Sequence, residues 1–239
     1  MPIQAIEPKR LYRQIAEQLR QLMASGEFQV GTRLPAERDL AIQLGVSRPS
    51  VREALIALEV EGIIEVRTGS GIYVKQARRS VTQAPGASDT PADWGPLEVM
   101  SARILVESEV AALAAQNASK TDLKTIRAAL QKMRQEAAQG EVPRWGDEAF
   151  HQAIASACGN SVLLDTVHRF WQARNGSLFQ RLGDHFEHPQ SWQTAIEEHV
   201  QVLQAIEAGN GPAARKAMQR HLRQAHKRYS ASWRRAPVR

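Results

Sequence analysis

Residues 35–74 admit few folds. Pro35 stands where a helix begins, since its missing N–H costs nothing in a first turn, and the run Ala36 to Leu44 is stopped by Gly45. Ser47 can cap a further helix. That helix runs to about Glu61 with Val51, Leu55 and Leu58 inward, and Gly62 ends it. Two short apolar runs follow, Ile63 to Val66 and Ile72 to Val74, joined by Arg67-Thr68-Gly69-Ser70-Gly71, which reads as a small hairpin. Ahead of them, Leu11, Ile15, Leu19 and Leu22 have the spacing of one buried helix face over roughly Leu11 to Ala24, and Gly26 and Gly31 bracket a turn. Three helices with a tight turn before the third, then a hairpin, make a winged helix-turn-helix.

In such a motif the N-terminal residues of the second helix of the pair reach base edges in the major groove. Here it begins Ser47-Arg48-Pro49-Ser50-Val51-Arg52. Arg48 and Arg52 lie four apart and share a face, and an arginine can donate two hydrogen bonds to one guanine. Ser47 and Ser50 are short hydroxyls suited to phosphate or base contacts. Arg38 on the preceding helix could reach the same groove or its phosphates. The wing tip around Thr68 and Gly69 can bring its backbone close to the minor groove or a phosphate. The competing reading pairs these arginines with Glu37, Asp39 and Glu53 at the surface.

Residues 76–96 carry three prolines, two glycines and many small polar residues, the composition of a linker. They divide a DNA-binding domain at 1–75 from a second domain at 97–239. The second domain reads as all-helical, with helices near 95–116, 121–138, 145–157, 160–185, 190–208 and 212–232. Ser119, Asn160 and Ser191 are candidate caps, and Gly140, Gly159 and Gly209 are stops. The fold class is therefore mainly α. Net charge is +6, which suits a polyanion. From Arg215 to Arg239 there are nine Lys/Arg and no Asp/Glu, so much of the excess sits in the last helix and tail. The single cysteine, Cys158, excludes an intrachain disulfide framework and fits a reducing, cytoplasmic setting. Met1 to Glu7 does not resemble a signal peptide, and no apolar run approaches the ~20 residues of a membrane span.

All seven histidines follow residue 150. His151 lies four after Asp147, on one face with Ile154. His199 sits in the stripe Trp192, Ile196, Leu203, Ile206, and His221 in the stripe Ala214, Met218, Ala225. A carboxylate and imidazole at i,i+4, with imidazoles from two more helices, could cage a metal inside a bundle. Hydrogen-bonded core histidines are the alternative. Three imidazoles and a carboxylate suit Zn first, with Ni or Mn as alternatives. Arg228 lies two turns beyond His221 on the same face and is a candidate anion clamp. Trp171 and Arg174 share a face of their helix and are candidate cavity-lining residues.

The segments Leu34-Pro35-Ala36-Glu37-Arg38-Asp39-Leu40, Val46 to Leu55 and Leu58-Glu59-Val60-Glu61-Gly62 resemble the signature of GntR-superfamily transcription regulators. Phe150 to Ala155 with Gly159-Asn160, Glu198-His199 with Ile206 to Gly209, and His221-Leu222 resemble the effector-binding FCD domain of the FadR-type branch. The resemblance implies that Arg38, Arg48 and Arg52 read bases or adjacent phosphates, with the wing in the minor groove. It implies a homodimer on a short palindromic operator of double-stranded DNA. It also implies that Asp147, His151, His199 and His221 hold a divalent ion at the floor of an effector cavity for a small organic or sugar acid. Met100 to Glu107 is similar to a Glu-x-Arg-x-x-x-Glu region of the family, which makes Arg103 an effector clamp. Arg10 to Ala16 and Glu65 to Val74 are most similar to hexuronate-responsive repressors.

The expected function is a ligand-responsive transcription regulator, a repressor of a sugar-acid or carboxylate catabolic operon, and not an enzyme. Two alternatives stand beside it. One is a metalloenzyme domain fused to a DNA-binding module, because the cluster could activate water. The other is a regulator whose metal is purely structural.

Overall fold

In a computed structural model the chain is described over residues 10–67, 69–75, 94–176, 178–180, 183, 187 and 189–232. Tyr12, Ile15, Ala16 and Leu19 form the buried stripe of α1 (Leu11–Ala24). This stripe packs on α3 (Arg48–Val60), whose residues from Val51 to Leu58 are nearly all buried, except Arg52. Between them lies α2 (Glu37–Leu44), with Ala36 as its extended N-cap residue. Gly45 follows in the left-handed region, at φ 64°, where a side chain would be strained. That conformation turns the chain sharply into α3. Ser47 caps α3, its Oγ accepting the Ser50 N–H at 3.3 Å.

The wing is β1 (Ile64–Arg67) and β2 (Gly71–Val74), antiparallel, with Ile64 opposite Val74 and Val66 opposite Ile72. Ile64, Ile72 and Val74 complete the N-terminal core. Arg33 bridges to Tyr73, so the loop before α2 lies along the outer edge of the hairpin.

The rest is helical: α4 (Pro96–Asn117), α5 (Lys120–Ala138), α6 (Arg144–Ala157), α7 (Ser161–Arg174), α8 (Pro189–Glu207) and α9 (Gly211–Ser232). The mainly α architecture expected from the sequence is what is seen. Apolar residues cover most sides of α4, so it can be stable only when enclosed. It is the central helix, touching α6, α7, α8 and α9. Ser119 forms a full capping box with Asp122 on α5, and the Asn160 side chain caps α7 through Val162 and Leu163. Ser191 falls inside the first turn of α8. Residues 76–93 of the expected linker lie outside the described residues, and its last residue, Pro96, opens α4.

One expected helix is shorter than its sequence pattern. Residues 160–185 read as continuous, yet α7 ends at Arg174. Asn175 and Gly176 are weak helix formers, and the Gly176 N–H turns back to the Ala173 carbonyl. The break makes Arg174 the last residue of α7. Among the described residues no helix is long and apolar enough to cross a membrane.

Candidate metal centre and nucleic-acid interface

The two arginines at the start of α3 converge on one acid. Arg48 Nε donates to Glu37 Oε1 at 3.3 Å, and Arg52 donates through Nε and Nη2 to both Glu37 oxygens at 2.9 and 2.8 Å. Arg38 pairs with Asp39 at 3.3 Å and is mostly exposed. Ser47 and Ser50 share a hydroxyl hydrogen bond at the exposed start of the helix. Gly69 sits at the exposed wing tip with φ 73°, and Thr68 lies outside the described residues. Arg38, Ser47, Arg48 and Ser50 are thus presented to solvent on neighbouring ends of α2 and α3. Of the ion pairs weighed from sequence, those to Glu37 and Asp39 occur. Glu53 is instead buried beneath α3, accepting the backbone N–H of Glu98 at 2.8 Å.

In the helical module, α6 supplies Asp147 and His151, α8 supplies His199 and α9 supplies His221. All four are buried, and one ligand atom from each lies within 4.8 Å of the others. Four ligands at ~2.1 Å from one ion stand about 3–4 Å apart, so small adjustments would close the set. Gly146 allows the approach. Its position on α6 presses against the Met133 backbone of α5, and its N–H is taken by the Glu136 carboxylate at 2.9 Å.

The outer nitrogens of the three rings fix their chemistry. His151 Nδ1 faces Glu107 Oε2 at 2.5 Å, His199 Nδ1 faces the Ala195 carbonyl at 2.6 Å, and His221 Nδ1 faces Glu198 Oε2 at 2.9 Å. A carbonyl and an ionised carboxylate only accept, so each Nδ1 carries the hydrogen. In the neutral rings every Nε2 is then a lone pair turned inward. His151 Nε2 is buried without a hydrogen-bond partner among the described residues. His199 Nε2 stands 3.0 Å from Asp147 Oδ1, a contact between two acceptors unless a proton or cation lies between them. The other Asp147 oxygen accepts from Arg174 Nη1 at 2.8 Å. This donor set, three imidazole lone pairs and one carboxylate oxygen, fits a borderline divalent ion.

Electrostatics agree with a carboxylate kept charged. Burial would raise the Asp147 carboxyl, but the His151 and His199 rings that face it and the Arg174 charge outweigh it and hold it well below the usual range. Burial works against Glu107 too, yet Arg103 and His151 bring it down to about 2. His221 is pushed well below the ordinary histidine value by burial and by the neighbouring imidazoles His199 and His151, so it stays neutral, as a metal ligand must.

Beside the cluster lies a cavity of about 50 Å3. Its polar wall is Arg103, Asp147, Arg174, Glu187, His221 and Arg228; Met100, Trp192 and Leu222 are among its apolar lining. Each arginine is engaged: Arg103 with Glu107, Arg174 with Asp147 and Glu187, Arg228 with Glu198. Trp171 does not line the cavity. It is buried in the core with Arg103 and Arg174 each 4.5 Å from its ring. Sequence reasoning did not single out Glu107, Glu187 or Glu198. The position of Glu107 four after Arg103 signals an i,i+4 ion pair. Glu198 enters only as part of the Glu198-His199 segment of the family resemblance, with no role attached, and nothing comparable marks Glu187.

Residues 11–74 match the model of bacterial regulatory proteins of the gntR family, and residues 98–224 match the FCD domain. The Uxu operon regulator of Haemophilus influenzae is 36% identical over 214 residues, covering 89% of this chain and 79% of that protein. The Exu regulon transcriptional regulator of Escherichia coli K12 is 38% identical over 221 residues, covering 90% and 83%. Among solved structures, Escherichia coli McbR/YncC aligns with a TM-score of 0.52 at 21% identity, covering 94% of this chain and 99% of that one, which speaks to fold.

Proposed function

The chain belongs to the gntR family of bacterial regulatory proteins, with an FCD domain behind its winged helix-turn-helix; it is a DNA-binding transcription regulator and not an enzyme, and we propose that a small sugar acid, held at a divalent ion in the helical module, controls its hold on an operator. The observation that carries this reading is the set of four inward lone pairs of Asp147, His151, His199 and His221 at the wall of a cavity rich in arginine. When bound, the ion would supply a Lewis-acid anchor for carboxylate and hydroxyl oxygens.

The charges around the cavity favour an acid only once the ion is present. Among the described residues, Arg103, Arg174 and Arg228, with Arg144 behind Glu187, balance Glu107, Asp147, Glu187 and Glu198. A divalent ion makes the sum positive. Arg174 and Arg228 line the cavity and can turn from their glutamates to an incoming carboxylate, which arginine binds in a bidentate manner. The Trp192 indole N–H is buried without a hydrogen-bond partner among the described residues and offers a donor to a hydroxyl oxygen. Relatives named for the Uxu operon and the Exu regulon make hexuronates the first acids to try. Two copies of the chain on a palindrome, with the acid favouring one arrangement of the paired α3 helices, would convert occupancy into a change in operator affinity.

The test is a thermal-shift screen of hexuronates and other organic acids on chelator-stripped and on zinc-loaded protein. A true effector stabilises by mass action, about 2.7 kcal/mol at a hundredfold excess over Kd. It should do so only with zinc present and should change operator affinity. Zinc that binds while no acid alters melting or operator binding would leave a purely structural ion and overturn the effector reading.

A further inference from the structure

Two carboxylates stand behind the histidines, and each is shared. Glu107 of α4 accepts the His151 Nδ1–H at 2.5 Å and also Arg103 Nε at 2.5 Å and Nη2 at 3.4 Å. Glu198 of α8 accepts the His221 Nδ1–H at 2.9 Å and the two terminal nitrogens of Arg228 at 3.2 and 3.1 Å. Both arginines line the cavity. Neither glutamate can be a ligand in this geometry, because each meets its ring at the nitrogen remote from the cluster. His199 has a neutral carbonyl in the same role, so only two of the three rings are backed by charge.

We propose that Glu107 and Glu198 are positioning residues that hold His151 and His221 with Nε2 inward, and that by gripping Arg103 and Arg228 with the same carboxylates they couple the metal centre to the anion-binding wall of the cavity. The inference rests on the metal reading above. Its physics is a competition for one carboxylate. An imidazole bound to a cation makes its Nδ1–H more acidic and draws more strongly on the carboxylate behind it. A guanidinium on that carboxylate draws the other way. When an arginine leaves for an incoming acid, the glutamate charge returns to the histidine and the ring becomes a better ligand. Ion and acid then strengthen each other reciprocally, as linkage requires.

Glu198 is the better probe, because Arg228 is 31% exposed and can be solvated if its partner goes, whereas Arg103 is 2% exposed. Full-length protein is stripped with chelator and titrated with zinc against a chromophoric competitor, and with cobalt while its d–d absorption is followed. Glu198→Leu should weaken zinc binding about 10- to 100-fold and alter the cobalt spectrum, while Glu198→Gln, which keeps one acceptor oxygen, loses less. Arg228→Ala should tighten zinc binding, and that gain should vanish in the Glu198→Leu background. An additive double-mutant cycle overturns the sharing, since it makes Arg228 act only through its distant charge. If Glu198→Leu does not fold, the Gln variant with and without Arg228→Ala carries the same cycle. Wild-type protein that binds neither ion sinks the metal reading itself; wild-type binding with unchanged affinity in the Glu198 variants sinks this inference alone.

Discussion

Glu37 holds both arginines at the start of α3, and the two are held differently. Arg48 is 60% exposed and makes one 3.3 Å contact, while Arg52 is 18% exposed and forks onto the carboxylate. An exposed ion pair stabilises by about 0–1 kcal/mol. A bidentate arginine on guanine discriminates by about 1–3 kcal/mol. Arg48 can therefore leave Glu37 for a base at little cost, and Arg52 gives up more to do so. Arg48→Ala should cost about 1–3 kcal/mol of operator binding and much less on scrambled duplex, with the fold unchanged. Fluorescence anisotropy on the two duplexes at one salt concentration measures this, and undiminished selectivity would remove Arg48 from base reading. Arg38, on the preceding helix and paired only loosely with Asp39, is expected to meet a phosphate rather than a base. Its Ala variant should weaken both duplexes alike and reduce the salt slope by about one.

At the scale of elements, the cluster of Asp147 and the three histidines depends on how closely α6 approaches α5. A Cβ on Gly146 would fall 2.5 Å from both Cα and N of Met133. Backbone cannot swing aside as a side-chain tip can, so α6 must tilt. Gly146→Ala gains up to about 1 kcal/mol of helix propensity against an overpacking cost of about 1–3 kcal/mol. It also displaces Asp147, the next residue. The variant should unfold at lower urea in chelator and bind zinc more weakly; a variant as stable as wild type with the same zinc affinity would mean that α6 has room. The same helices show what a sequence discloses. Asp147, His151, His199 and His221 were legible because a helical period projects them onto buried stripes. Glu198 was not: it adjoins His199 but points about 100° away around the helix, and only the packing of α9 beside α8 brings His221 to it. The end of α7 was masked because Leu178 and Phe179 prolong the apolar spacing past Asn175-Gly176. The position of Trp171 beside the cavity rather than on it lies beyond a stripe, which gives the buried face but not which buried atoms border a void.

The two modules of the whole molecule meet where α3 touches α4. Leu97 of α4 enters the N-terminal core, and Glu53 of α3 accepts the N–H of Glu98 in the first turn of α4. Gly95 permits this, since a Cβ there would lie 2.3 Å from Glu53 Oε2. Around the contact a cavity of about 470 Å3 lies between α1 and α3 on one side and α4 and α9 on the other, and Arg10 stands over the Trp94 ring, 6.0 Å from its centre. The helix that carries Arg103 and Glu107 therefore starts against the buried side of α3. The junction should also respond to pH. Burial raises the Glu53 carboxyl to about 7, with the nearby Glu98 charge adding to it and backbone hydrogen bonds opposing. Glu59, which accepts the Val66 N–H, is likewise raised by burial to about 7. Between roughly pH 4.5 and 7 the folded chain retains protons that the unfolded chain has released, so stability is full below that window and is lost as pH rises through it. For Glu53 the change is about 3 kcal/mol. The acids lowered by pairing, Asp147 and Glu107, act with the opposite sign and below the window. Urea unfolding at pH 5 and pH 7.5, at constant ionic strength, should show wild type losing more stability on the alkaline side than Glu53→Gln, whose amide keeps an acceptor and does not ionise. Parallel profiles for the two proteins would mean that Glu53 is solvated in the folded chain and that the modules are not joined through it.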